Sequence, residues 1–546
     1  MTGIFRIITT ADQLIDAAKD KTARYLIIRN DISDLPSIKL QPFQSISGEF
    51  DGKIIKFATG SDGFCLSKGN ELKNIRIETT PDKRAIFQDT DVESMNTHSL
   101  TRLTVVGQIS FILGSIIKKG RIDISYVHVA EASTLHLTER PNQFSVDMMQ
   151  GALTIWNKSE AAECDITCDI SHFSCGSETK PIAGSGLVIC GSSESQNILK
   201  STIISCGHIY TKGEIGKGVA NIVCAGICTG YYTETHNIIN YGRITCYGGN
   251  EMGIYNWGTV TKWDITDRIE THGDNGCGII NAGNINRLTM SHPIETFGIG
   301  ARGFYMFSGH LRDLQLEKVI THGDASNAIQ FNQYIDRLSI AKDIITYGNA
   351  IEVKFADSIV KVSSDGICVK YGGTLRILKV SGDIITNGNN THSIYNEAGI
   401  ERAFIGGEVL AKGENSVALE VNEGFFAGEN IKFVSQQWAA IKLIRARMNN
   451  CRNLSAYGKD FDILVDTLSS VNKSLFTAES LTGVFQDNVR VDYIDNLENK
   501  PDVENEKEEV IDNKFTIKTN DISPDSVEGN EIHPMSCEPP KSDKKD

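Results

Sequence analysis

Apolar and polar positions alternate along this chain in short runs that end at glycine or asparagine, and the runs come back in a fixed order. Glycines 248, 273, 298, 323 and 348 recur at one constant step, and after one break Gly388 and Gly413 resume it. Three pieces fill each step. The first reads I-x-T-x-G, as in Ile269–Gly273, Ile294–Gly298 and Ile344–Gly348. The second reads G-I-x-N-x-G, as in Gly253–Gly258 and Gly278–Gly283. The third reads I-x-x-L-x-I, as in Ile335, Leu338 and Ile340. Runs of three to five residues with period-2 alternation and a Gly or Asn stop predict strands and turns. No gap between pieces accommodates a ten-residue helix.

Three short strands per step, stacked in parallel register about 4.8 Å apart, predict an all-β fold. It is a single right-handed parallel β-helix solenoid, the hand following from the rule for parallel crossovers. Each coil buries its inward residues only against its neighbours, so stability accumulates along the stack. The third piece also fits the L-x-x-L-x-L of leucine-rich repeats, but the Asn and helix that should follow are missing. Cys168/Cys190, Cys206/Cys228 and Cys224/Cys246 share one shorter separation. That spacing predicts shorter coils upstream with a cysteine in one inward column, and a solenoid of roughly 22–25 residues per coil. The glycines are expected at bends with φ > 0.

The chain divides into four parts. Residues 1–30 hold a capping helix and the leading strand, with Thr10 and Gln13 placed as a capping box for "ADQLIDAAKD". Residues 31–435 form the β-helix, 436–486 lose the phase and form closing coils or a cap, and 487–546 form an acidic, disordered tail. From Val491 onward there are 16 acidic and 7 basic residues, −9 of the chain's −15, so the body is only mildly acidic. That balance gives no footprint for nucleic acid and no anionic-membrane patch. No run approaches the roughly 18 apolar residues of a membrane span. "MTGIFRIITTADQ" lacks the cationic start and apolar core of a signal peptide. Thirteen cysteines, an odd number, fit a reducing compartment. The expectation is a cytoplasmic protein, or one exported without a cleaved leader.

A leading helix, then strands, then an "I-x-G" step ("SISG") into the coils resembles the pectate-lyase-like parallel β-helix superfamily. Asn240-Tyr-Gly-Arg-Ile244, Asn256-Trp-Gly-Thr-Val260 and Asn281-Ala-Gly-Asn-Ile285 are similar to the N-x-G-x-[IV] repeats of autotransporter passengers and haemagglutinin-type adhesins. The resemblance covers about residues 10–435. It implies the fold, and an activity drawn from polysaccharide hydrolysis, lysis, epimerisation or adhesion.

Tyr247, His272, Phe297, His322 and Tyr347 each precede a repeated glycine. Stacked one coil apart they predict a ladder roughly 20 Å long. Asp274 and Asp324 follow two residues on, placed to accept hydroxyl hydrogen bonds from a glycan. "VSSDGICVKYGG" resembles the D-D-C-[IV]-A-[IL]-K segment of polygalacturonase-type hydrolases, with His392 downstream of Asp365. The resemblance makes Asp365 and His392 the catalytic candidates. One aspartate stands where two are expected, and no G-H-G, N-T-D or R-x-K follows, whereas that chemistry needs two carboxylates. Cys164, Cys168, His172 and Cys175 lie too far apart along a strand for one metal, so no metal and no cofactor is expected. The function predicted is a rigid scaffold that presents repeated turns to an extended partner, most plausibly a polysaccharide or glycan. The alternatives are a pectate-lyase-like enzyme, or a spike or leaderless host-interaction protein with a protein partner on the acidic tail, as a monomer or homotrimer.

Overall fold

In the computed structural model the described residues are 4–477, apart from 51, 144, 217, 218, 220, 356, 357, 449, 467, 470 and 472–474. The expected acidic tail at 487–546 therefore lies outside the described residues. Almost every described element is a strand, and the strands stack in two long parallel sheets, a parallel β-helix.

Each regular coil contributes three strands. Ile269–Thr271 and Asn284–Met290 lie in the first sheet, and Cys277–Asn281 lies in the second. Partners are taken one coil on: Ile269 beside Ile294, Ile279 beside Phe304, Leu288 beside Leu314. The inward positions make continuous columns, such as Ile244, Ile269, Ile294, Val319, Ile344, Ile384 and Val409, all fully buried. Farther upstream the two first-sheet strands fuse into one long strand per coil, as in Lys119–Glu131 and Asp165–Cys175. A left-handed residue bends each of them at one level: Asn74, Arg102, Tyr126 and His172, with φ between 52° and 58°.

The repeated glycine is required by close approach, not by positive φ. A Cβ on Gly273, Gly298, Gly323 or Gly348 would sit 1.8–2.0 Å from the carbonyl oxygen of the glycine one coil before. None of the four has positive φ; the left-handed residue comes two positions later, at Asn250, Asn275, Gly300, Ala325, Asn390 and Asn415. Between them, Asp274, Asp324, Asn349 and Asn389 each accept, at Oδ1, a hydrogen bond of 2.7–3.0 Å from a backbone N–H in the next coil. The G-I-x-N-x-G asparagines do a similar job inside, with Asn256 Nδ2 donating to Asn281 Oδ1 at 2.7 Å.

A second expectation, the cysteine column, also needs correction. The evenly separated cysteines do not share a column: Cys206 lies beside Asn240, Cys228 beside Tyr255, and Cys246 beside Thr211. Coils in that region are longer than the regular ones downstream, because loops leave the stack between strands. A 22-residue coil does occur near the other end, where Glu420 pairs with Lys442. None of the twelve described cysteines is disulfide-bonded. The break in the glycine phase is a hairpin, Ile351–Phe355 with Ser358–Val362, looped out of the stack while Ile344 still pairs with Ile384.

At the N-terminus the helix α1, Ala11–Lys19, is preceded by an additional strand, Ile4–Ile8, which pairs with Ala23–Ile28. Leu14, Ala17 and Ala18 turn inward over the first coil. Thr10 Oγ1 accepts from Gln13 N, while Gln13 Oε1 takes Thr9 N, one residue before the usual capping-box partner. At the other end the stack continues to Phe461–Val465, which pairs with Ala439–Ile444, so residues after 435 add further coils.

Gly298→Ala should destabilise the stack by about 3 kcal/mol, because a Cβ must displace backbone. Gly249→Ala, whose Cβ would meet only Asp274 O at 3.4 Å, should cost far less. Denaturant midpoints of the two variants check this; equal effects would mean that the glycine column does not set the coil spacing.

Candidate functional site

The five residues of the predicted ladder stand in one column. Centroid separations are 5.3 Å for Tyr247–His272, 4.8 Å for His272–Phe297, 4.7 Å for Phe297–His322 and 5.1 Å for His322–Tyr347. Interplanar angles of 16°, 3°, 2° and 6° make them face-to-face stacks. The column forms because the preceding buried residues, Cys246, Thr271, Thr296, Thr321 and Thr346, are in strict register. Each ring covers its neighbour's face, so between the two ends the ladder offers its edges. Phe297 and Tyr347 are 38% and 49% exposed. His322 Nε2 is 2.8 Å from Glu295 Oε1, which fixes the orientation of that ring. Asp274 and Asp324 are placed beside the ladder, but in both Oδ1 is engaged by the backbone of the next coil. A similar stacked pair occurs at the upstream bend, where the His172 ring lies 4.2 Å from that of Tyr126 at 15°, while Tyr241, 5.3 Å away, is tilted by 54°.

The second candidate pair comes together on the outer side of the second sheet. Asp365 Oδ1 is 2.9 Å from His392 Nδ1 and also accepts from His392 N at 2.9 Å and from the Ser363 hydroxyl. The other ring nitrogen, Nε2, lies 3.2 Å from Glu420 Oε2, which Lys442 Nζ reaches at 3.0 Å. One imidazole is therefore held between two carboxylates. Glu420 and Lys442 are not evident in the sequence as partners of His392. They follow from register, since Tyr395 pairs with Glu420 and Glu420 with Lys442. Next to them Tyr395 OH donates to Glu397 Oε1 at 2.6 Å, and Lys370 Nζ lies 3.3 Å from the same oxygen.

Burial disfavours every charge in this network, yet the pairings win. Burial pushes His392 down, but Asp365 and then Glu420 raise it to about 9, so it is an imidazolium at neutral pH. Burial pushes Glu420 up, and His392 and Lys442 bring it down to about 2. Asp365 is likewise lowered against its burial, by His392 and Ser363. Asp365 and Glu420 are almost wholly buried, at 3% and 6% exposure. An imidazolium bonded on both nitrogens has no lone pair with which to take a proton. As it stands, the arrangement is an ion-pair relay within the wall.

Among the described residues no group of three or more His, Cys, Asp or Glu side chains is placed to hold a metal ion. In the cysteine-rich strand, Cys168 and Cys175 are buried. Glu251 is sealed in the interior, where burial raises its carboxyl and Cys224 Sγ lies 3.1 Å away. A groove of about 560 Å³ lies near neither candidate. It is on the first sheet, between Phe43, Asn96, Thr97, Lys119, Arg121, Asp165 and Thr167. Phe43 holds a left-handed backbone (φ 64°) and is 47% exposed, with Arg24 and Lys68 5.5 and 5.9 Å from its ring centroid. Sequence patterning carries no sign of this groove, because its residues, Gly69 among them, come from five separate coils. The chain matches no family model, no curated protein and no solved structure.

The pH dependence of stability tests the His392 network. A group raised above its ordinary 6.5 contributes fully below 6.5 and loses that contribution as pH climbs through about 9. Glu420, lowered from 4.5 to about 2, contributes above 4.5 and loses it as pH falls toward 2. The difference in unfolding midpoint between the parent chain and His392→Gln should be greatest between 4.5 and 6.5 and shrink on both sides. A difference that stays constant from 6.5 to 9 would contradict the pairing.

Proposed function

We propose that the chain is a β-helical binding rod that engages an extended polysaccharide along the edge of the ring ladder. The observation that carries this is the spacing. Ring edges repeat every 4.7–5.3 Å over five coils, and the repeat is comparable to the advance of one pyranose per residue along an extended glycan. Tyr hydroxyls and a His ring nitrogen, interspersed with the apolar edge of Phe297, offer the alternation of polar and apolar contact that sugars present. Because ring faces are stacked on one another, sugars contact edges along the column, and face stacking is confined to its ends at Tyr247 and Tyr347. The similarity of the repeats to adhesin passengers supports the same reading.

A second reading, polysaccharide cleavage at Asp365 and His392, is favoured by one observation: two carboxylates, Asp365 and Glu420, flank a single imidazole. Paired carboxylates are what glycoside hydrolysis requires. Against it, both are buried and bonded to cations.

A panel of plant, algal and bacterial polysaccharides separates the two. Retention on an immobilised glycan without new chain ends is the expected outcome. Retention should fall in Phe297→Ala, and in Tyr347→Phe, which removes one hydroxyl and leaves the stack. Reducing or unsaturated ends that vanish in Asp365→Asn would establish the enzyme reading instead. Retention unaffected by both ladder variants would exclude the ladder as the site.

A further inference from the structure

The leading strand Ile4–Ile8 pairs with Ala23–Ile28 along one edge, and among the described residues no strand pairs with its other edge. Alternation along a strand decides which backbone groups face which side. Ile4 N donates to Thr22 O and Ile8 O accepts from Arg29 N, so Ile4, Arg6 and Ile8 turn their groups toward Ala23–Ile28. Phe5 and Ile7 turn theirs outward. Thr9, the next in that alternation, has both groups engaged, its N–H by Gln13 Oε1 and its carbonyl by Asn30 Nδ2. That leaves the N–H and C=O of Phe5 and of Ile7 open among the described residues.

Native sheets blunt an open edge with lysine, proline or a covering element. This edge is apolar instead. Phe5 is 64% exposed, Ile7 51% and Ile4 43%. The one charge on the strand, Arg6, lies 3.3 Å from Asp20 and is neutralised there. Of the twenty exposed large hydrophobic side chains among the described residues, six (Ile4, Phe5, Ile7, Tyr25, Phe43 and Phe50) fall within the first fifty residues, so apolar exposure is concentrated at this end of the rod. Concentrated exposure of that kind marks a surface that meets a partner.

We infer that this edge joins a second copy of the chain, strand to strand and antiparallel, so that two rods meet head to head. The edge is complementary to itself. About a two-fold axis at Arg6, Phe5 lies opposite Ile7 of the second copy, and each such pair exchanges both backbone hydrogen bonds. Every open group is then satisfied. The two Arg6 side chains face each other at the axis, each held by Asp20 of its own copy. The outward side chains suit the same register. Phe5 stacks on Tyr25 with ring centroids 4.6 Å apart, and Ile7 lies beside Ile27. Across the junction they become two apolar columns, Tyr25–Phe5–Ile7–Ile27 and its symmetry mate, on the outer face of one continuous sheet. A register shifted by one residue opposes unlike faces, and one shifted by two leaves half of the open groups unpaired. The junction is only five residues long on each side, so association is reversible and depends on concentration.

Sedimentation equilibrium and small-angle X-ray scattering on the full chain test this. The average mass should rise with concentration from one chain toward two, and the maximum dimension should nearly double. Ile7→Pro removes an outward N–H while leaving the hydrogen bonds to Ala23–Ile28 in place. It should abolish the association and leave the unfolding midpoint of the rod unchanged. Phe5→Lys, which supplies the charge that natural edges carry, should raise the dissociation constant by about tenfold, and it decides the matter if the proline variant fails to fold. A chain still monomeric at millimolar concentration, a dimer no longer than a single rod, or a dimer indifferent to both substitutions would overturn the assignment.

Discussion

Everything in this molecule depends on how closely one coil can lie on the next. Parallel strands set a repeat near 4.8 Å, and corners must keep to the same spacing as the strands or the register drifts. At the corner after the I-x-T strand, backbone meets backbone with no space for a β-carbon, as the carbonyl oxygens 1.8–2.0 Å from the missing Cβ positions show. Glycine there is a spacing device. The adjoining Asp and Asn side chains, each bonded to a backbone N–H of the following coil, hold the same corner at the same height.

Strict register turns sequence position into columns, and each column then faces its own physical problem. An inward column needs apolar side chains of compatible size, and Trp263 is accommodated between Ile238 and Leu288. A corner column of rings gains face-to-face contact, each pair contributing about 1 kcal/mol beyond buried area. A column of ionisable groups has a harder problem, since like charges one coil apart repel. In the second sheet two neighbouring columns solve it by alternation of sign, Asp365 beside His392 in one and Glu420 beside Lys442 in the other, with His392 reaching across to Glu420. Such a buried series is worth little net stability when intact, and removing one member leaves a buried charge unpaired. What it does fix is the register of the last coils, because a slip would part each charge from its partner.

The fold was legible because its signal is periodic. The constant step of the glycines, the I-x-T and N-x-G phrases and the absence of helical spacing all point to one architecture, and the ladder followed from counting. What escaped had no period to reveal it. The cysteine spacing suggested a column, but loops of different length separate those strands, so equal separation in sequence did not mean equal height. Asp365 and His392 were suggested by a resemblance; their contact with Glu420 and Lys442 depends on where the inserted hairpin returns the chain to register. The bonding of Asp274 and Asp324 to backbone was equally hidden, because an aspartate in a turn looks the same whether it faces a ligand or the next coil.

The central claim is that coils are interchangeable units held by register, and excising one tests it most directly. Removing residues 269–293 joins Arg268 to Ile294, which already occupies the position of Ile269 one coil on, and shortens the ring ladder by one. The account predicts a chain that still unfolds cooperatively with β-rich circular dichroism, while removal of 269–281, which takes out the strand that carries the chain across the second sheet and leaves Asn284–Met290 directly after Thr259–Ile265, should abolish that cooperative transition. If the two deletions behaved alike, register between coils would not be what holds the rod together.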